Sequence, residues 1–150
     1  MTELRKINDR FVVGLQHPAK QDLVELAKDG FRAIVNLRHQ DEDDQPLQPE
    51  EEGAQVRSLG MDYVHIPVSG EALDESVVDR FRDSVADLPG PIYVHCASGK
   101  RSGALTMMHV ASKENMSGDD AILEAKAMGF ECDSPDLEQF VKDYVDNHNS

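Results

Sequence analysis

A cysteine, two glycines and an arginine lie close together in the segment VHCASGKRSG, Val94 to Gly103. Cys96 follows a short apolar run, Gly99 comes three residues later, and Arg101 precedes a stretch with a helical pattern. A glycine-bearing loop that opens a helix points backbone N–H groups and the positive end of the helix dipole at one place. An oxyanion can bind there, and a thiol is more easily ionised. Cys96 is therefore a candidate nucleophile, and Arg101 is a candidate ligand for phosphate or sulfur oxyanions.

The composition restricts the partners that this segment can have. The chain has 150 residues, 39% of them hydrophobic, which is enough for one domain with a real core and too few for two ordinary domains. We therefore expect a single domain over residues 1–150. A formal net charge of −14 disfavours nucleic acid and anionic membranes as partners. An anionic ligand would need a local basic site, and Lys100 and Arg101 form one.

Cysteine content and hydropathy bear on the compartment and on cofactors. The chain has two cysteines, Cys96 and Cys132, its N-terminus does not resemble a secretory signal, and no apolar run is long enough to span a bilayer. These features predict a cytoplasmic protein with reduced thiols. The acidic run at 41–45 lacks the spacing of a calcium loop, and no His and Cys spacing fits zinc, so no metal or other cofactor is expected.

Short β-branched runs alternate with amphipathic helical patterns along the chain. The β-branched runs predict strands over 11–15, 33–37, 62–68 and 91–95. The amphipathic patterns predict helices over 18–28, 73–88, 101–112, 117–128 and 135–147, and one more helix that ends at about residue 58. This alternation predicts an α/β fold in which a mainly parallel central sheet of about four to five strands is flanked by helices. Ligands of such sheets bind beyond the carboxyl ends of the strands, where Cys96 falls.

Three parts of the segment together resemble the cysteine-dependent protein tyrosine and dual-specificity phosphatases: His95-Cys96 at a strand end, Gly99, and Arg101-Ser102 at a helix start. The runs AIVNLR at 33–38 and YVHIPV at 63–68 are similar to the dual-specificity scaffold, and the resemblance covers roughly residues 10–115. GLQHP at 14–18 and VHCASGKRSGAL at 94–105 resemble the small bacterial phosphatase-like domain associated with β-lactamase-like hydrolases.

The resemblance implies a dual-specificity phosphatase-like fold, a phosphorylated protein or small molecule as substrate, and a role for each residue of the segment. Cys96 would form a cysteinyl-phosphate, Arg101 would bind the phosphoryl oxygens, and Ser102 would assist departure of the thiolate. His95 would orient the loop and help to keep Cys96 ionised. The remaining substrate-binding residues would be Ala97, Ser98, Gly99 and Lys100.

No acidic residue occupies the position at which these phosphatases usually carry their general acid. Phosphatases of this type carry an aspartate after the third strand, but Ser69 occupies the nearest position here. Asp74 is the preferred candidate and Glu71 the alternative. Asp74 also stands where the N-cap of the following helix is expected, so either role fits its position.

The spacing between Cys96 and Arg101 departs from the phosphatase pattern. Four residues separate them, whereas the phosphatase signature has five, and four is the number in rhodanese-like sulfurtransferases. A shorter loop supplies one fewer backbone amide and a narrower site, which favours a single sulfur atom over a phosphoryl group. Two alternatives therefore stand beside the phosphatase: a sulfurtransferase that carries a Cys96 persulfide, and a non-catalytic oxyanion-binding module.

Overall fold

The strands of this protein form one five-stranded sheet in a computed structural model, which describes residues 4–14, 19–37, 49–66, 75–95, 100–127 and 135–148. The strands are β1 (Leu4–Lys6), β2 (Phe11–Gly14), β3 (Ala33–Asn36), β4 (Asp62–His65) and β5 (Ile92–His95). Their spatial order is β1-β2-β5-β3-β4. The β1–β2 pair is antiparallel, and β2, β5, β3 and β4 run parallel to one another. The predicted mainly parallel sheet of four to five strands is confirmed.

Helices flank this sheet, as the sequence pattern predicts. They are α1 (Lys20–Lys28), α2 (Pro49–Ser58), α3 (Glu75–Ala86), α4 (Lys100–Lys113), α5 (Gly118–Ala127) and α6 (Pro135–Asn147). Where the sequence analysis assigns both ends of a helix, the observed bounds differ from the predicted ones by at most two residues. Within the described ranges, no helix has the length and apolar character needed to cross a bilayer.

The two faces of the sheet are covered by different helices. Leu26 of α1 and Val56 of α2 pack with Tyr93 on one face. On the other face, side chains of α3, α4, α5 and α6 form a larger core with Val94. Adjacent residues of β5 thus contribute to opposite cores, because side chains alternate along a strand. His95, two residues after Tyr93, lies on the α1 and α2 side.

Strand β5 and helix α4 are the most deeply buried elements on either side of Cys96. All four residues of β5 are buried, and β5 pairs with β2 on one side and with β3 on the other. Residues 103–112 of α4 are buried as well. A helix that is buried on every side belongs to the interior of the protein rather than to its surface. Both ends of the segment that contains Cys96 are therefore anchored in the core.

Candidate active site

The predicted nucleophile comes directly after the central strand. β5 ends at His95 and α4 begins at Lys100, so four residues separate the two elements. Those four, Cys96, Ala97, Ser98 and Gly99, lie outside the described residues, as do the acid candidates Asp74 and Glu71. Helix α3 begins at Glu75, the residue after Asp74. The roles assigned to these six residues therefore stay predictions.

Lys100, Arg101 and Ser102 form the first turn of α4 rather than the end of a loop. The N–H groups of a first turn have no acceptor within their own helix. Together with the helix dipole, they favour an anion at this end. The first turn carries no acidic residue that would occupy that position. The fourteen-residue length of α4 gives it a full dipole, and its direction points this end toward the carboxyl edge of the sheet.

His95 is buried and contacts a buried carboxylate. It is 0% exposed and Glu52 is 2% exposed. Nε2 of His95 lies 2.7 Å from Oε2 of Glu52, within hydrogen-bonding distance. Glu52 belongs to the first turn of α2, where the helix dipole favours a negative charge. The residue before Cys96 is thus joined to the first turn of α2, which packs on the same face of the sheet.

Tyr63 of β4 and Asn36, the last residue of β3, extend this contact into a polar cluster. The Tyr63 hydroxyl accepts a hydrogen bond from Nδ2 of Asn36 at 3.0 Å and donates one to the carbonyl of Pro49 at 3.1 Å. Burial, and next the charge of Glu52, raise the pKa of Tyr63 above its usual value. Its hydroxyl therefore stays protonated and available as a donor. We call His95, Glu52, Tyr63 and Asn36 the buried polar cluster.

Gly53 is the reason that Tyr63 can approach α2 so closely. A Cβ atom at Gly53 would lie 2.9 Å from Cδ2 and Cε2 of the Tyr63 ring. Side-chain carbons do not approach one another that closely in well-packed interiors. Glycine at this position therefore lets the first turn of α2 lie directly against the ring.

Sequence reasoning did not single out Glu52, Tyr63 or Asn36. The run that precedes α2 is so acidic that Glu52 is easily taken for a solvated residue. One signal was present: Pro49, Glu52, Gly53 and Val56 recur at the spacing of one helix face, and all four are buried. A glutamate in phase with apolar residues is a candidate for a buried partner.

A separate cleft lies away from this edge. It has a volume of about 480 Å³ and is lined by Asp79, Arg82, Asp83, Ala86, His109 and Lys113. Its residues belong to α3 from Asp79 onward and to the second half of α4, toward the opposite end of the strands from His95. Acidic and basic side chains balance in its lining, so it shows no preference for a charged ligand.

The described part of the chain contains no group of three or more His, Cys, Asp or Glu side chains arranged to hold a metal ion.

Comparisons with known proteins agree with this arrangement. Residues 3–113 match the family described as "Beta-lactamase hydrolase-like protein, phosphatase-like domain". A curated relative, the beta-lactamase hydrolase-like protein of Agrobacterium fabrum, is 32% identical over 127 residues. That match covers 84% of this chain but 29% of the relative, so the chain spans less than a third of the relative's length.

Two solved structures have the same fold. Pseudomonas aeruginosa TpbA in complex with pTyr matches with a TM-score of 0.72 at 17% identity, over 96% of this chain and 88% of that one. The core catalytic domain of the PP-IP phosphatase SIW14 from Saccharomyces cerevisiae matches with a TM-score of 0.72 at 18% identity, over 94% and 84%. These structures share the dual-specificity phosphatase-like fold. With the family match over 3–113 and the 32% identical relative, they lead to one conclusion: the chain belongs to the phosphatase-like domain family of the beta-lactamase hydrolase-like proteins.

Proposed function

We propose that this domain hydrolyses phosphomonoesters with Cys96 as the nucleophile. The observation that carries the proposal is the arrangement of β5 and α4, with Cys96 directly after the central strand and Arg101 in the first turn of a buried helix. Membership of a phosphatase-like family supports it. So do the names of the structural neighbours, one a complex with pTyr and one a PP-IP phosphatase.

The proposed reaction has two displacements at phosphorus. The Cys96 thiolate attacks phosphorus, the bond from phosphorus to the ester oxygen breaks, and that oxygen leaves with a proton from Asp74 or Glu71. Water then attacks the cysteinyl-phosphate, the S–P bond breaks, and inorganic phosphate and the Cys96 thiolate are released. Ser102 assists this departure.

Arg101 and backbone amides hold the phosphoryl group in both steps. The guanidinium binds two oxygens at once, and the N–H groups of Ala97, Ser98, Gly99 and Lys100 take the others. The N-terminal end of α4 adds its dipole to the same place. In a chain of net charge −14, this local positive field is what attracts an anionic substrate. The proposed setting is a reducing compartment such as the cytoplasm, which keeps Cys96 as a thiol.

The test compares the wild type with Cys96→Ser on an aryl phosphate. We expect the substitution to lower the rate of phosphate release at least about 1,000-fold, because a serine hydroxyl is a far weaker nucleophile than a thiolate. Cys132→Ser is the matched control, since it removes the other cysteine, and it should retain the wild-type rate. Equal rates for wild type and Cys96→Ser, or no phosphate release by the wild type, would reject the proposal.

The second candidate function is sulfur transfer, favoured by the four-residue spacing between Cys96 and Arg101. In that reaction the Cys96 thiolate attacks the outer sulfur of thiosulfate, sulfite leaves, and cyanide then takes the sulfur to form thiocyanate. Intact mass after incubation with thiosulfate would show one added sulfur, and Cys96→Ser would remove it. Absence of the adduct and of thiocyanate counts against this candidate. There is a third outcome: phosphate raises the melting temperature, but the protein neither hydrolyses the aryl phosphate nor transfers sulfur from thiosulfate. That outcome would identify a binding module.

A further inference from the structure

The contact between His95 and Glu52 is unusual in its burial. Both side chains are at least 97% buried, and their nearest polar atoms are 2.7 Å apart. A buried ionisable pair adds little to stability compared with well-packed apolar side chains, since both groups lose their hydration. Such groups are common where a nearby reactive residue must be oriented or charged. This pair is next to the predicted nucleophile in the chain.

The contact determines which nitrogen of His95 carries a proton. A carboxylate only accepts hydrogen bonds, so Nε2 must be protonated to donate to Oε2 of Glu52. Nδ1 is then the second nitrogen, and it is buried without a hydrogen-bond partner among the described residues. Cys96 is the next residue along the chain. A side chain that hydrogen-bonds one nitrogen of a histidine commonly sets which nitrogen faces a reactive group beside it.

We propose that Glu52 is a positioning residue for Cys96: it fixes the ring and the tautomer of His95, which leaves the lone pair of Nδ1 to accept the proton of the Cys96 thiol. This inference rests on the proposed function, in which Cys96 is the reactive thiol. Glu52 does not touch the reacting atoms. It acts through His95: its carboxylate keeps the proton on Nε2, so that Nδ1 can receive the thiol proton when Cys96 ionises.

Several other described side chains surround the pair. Tyr63 of β4 lies near Glu52, and the Arg57 guanidinium of α2 lies 5.7 Å from the centre of the Tyr63 ring. The ring of Tyr93, on the same strand as His95, lies 5.8 Å from the imidazole. The hydroxyl of Tyr63 accepts from Asn36 and donates to the Pro49 carbonyl, whereas the atom that faces Nε2 of His95 is Oε2 of Glu52.

The experiment measures the alkylation of Cys96 by iodoacetamide against pH in the absence of substrate, with peptide mass spectrometry to separate Cys96 from Cys132. Glu52→Gln keeps the size of the side chain and removes its charge. We expect the pH of half-maximal alkylation to rise by about one unit relative to wild type, and the rate at pH 7 to fall roughly fivefold to tenfold. Glu50→Gln is the matched control, because Glu50 is exposed on the same turn of α2. Its profile should equal that of the wild type.

A Glu52→Gln profile that coincides with both wild type and control, in a protein that unfolds cooperatively, would overturn the inference and leave the proposed function intact. If the alkylation of Cys96 in the wild type has the midpoint of an ordinary thiol, about pH 8.5, the result would contradict both the role of Glu52 and the proposed function.

A second measurement does not depend on the folding of Glu52→Gln. Long-range ¹H–¹⁵N spectra of the wild type, assigned with His95→Gln, should show a proton on Nε2 of His95 from pH 6 to 9. A neutral ring with its proton on Nδ1 would overturn the inference.

Discussion

His109 shows how a single side chain can couple the stability of this protein to pH. It is 4% exposed, and its ring meets Phe11 and Phe81 edge to face at 5.3 and 6.4 Å between centres. Burial, followed by the nearby charges of Arg82, Lys113 and Arg10, lowers the pKa of His109 from 6.5 to about 4. The folded protein therefore holds this imidazole neutral where the unfolded chain would protonate it.

We expect the free energy of unfolding to fall as the pH is lowered, and to fall less in His109→Gln than in the wild type. The folded-state pKa lies below the unfolded value, so the unfolded chain binds more protons between about pH 6.5 and pH 4. Above pH 6.5 this histidine contributes no pH dependence, and below it the free energy of unfolding falls. From pH 7 to pH 5, urea unfolding should show a fall about 1–2 kcal/mol larger in wild type than in His109→Gln. Parallel curves would contradict the assignment.

Among the elements, α2 connects the packing of the protein to its candidate site. Its first turn supplies Glu52 to His95 and the Pro49 carbonyl to Tyr63. The approach of Tyr63 to this turn is one that Gly53 permits. The geometry of the buried polar cluster therefore depends on a residue without a side chain.

Gly53→Ala is expected to destabilise the protein even though alanine favours helices by about 1 kcal/mol over glycine. The added methyl group would meet the Tyr63 ring at 2.9 Å, and overpacking of this kind costs about 1–3 kcal/mol. The net change in the free energy of unfolding should be a loss, measured by urea titration. In a Tyr63→Ala background the same substitution should be neutral or stabilising. If the loss persists in that background, the ring is not its cause.

The elements differ in how well the sequence predicts them. Helices and parallel strands carry strong apolar periods, and the helix bounds agree with the sequence analysis to within two residues. β1 was not predicted, because Leu-Arg-Lys has no strand pattern and is a strand by virtue of its pairing with β2. Glu52 was missed for a related reason: its burial follows from which face of α2 meets the sheet, and composition alone suggests solvent. The roles of Cys96 and Asp74 stay predictions.

At the scale of the molecule, the core extends beyond the family match, which ends at residue 113. Val141, Tyr144 and Val145 of α6 are buried in the larger core with residues of α3 and α4. The Tyr144 hydroxyl donates to Oδ1 of Asp79 at 2.6 Å and accepts from Arg82 at 3.2 Å. The last two helices are thus part of the domain rather than an appendage.

We therefore expect a chain that ends at Asn115 to lose cooperative thermal unfolding and to bind a dye specific for exposed apolar surface. Side chains of the removed helices share one core with Phe81 and Leu105, which are fully buried, and exposing such apolar surface costs about 25 cal/mol for each Å². A chain that ends at His148 is the control and should unfold like the wild type. If the shorter chain also melts cooperatively at a similar temperature, α5 and α6 are dispensable for the fold.

The central place of β5 determines how local opening affects the strand that precedes Cys96. Proteins open at their sheet edges far more often than at their centres, and the edges here are β1 and β4. β5 is hydrogen-bonded on both sides, to β2 and to β3, so fraying of either edge leaves its register unchanged. We therefore expect the amide hydrogens of β5 to be among the last of the sheet to exchange. The strand that precedes the candidate nucleophile can keep its register while the edges of the sheet open and close.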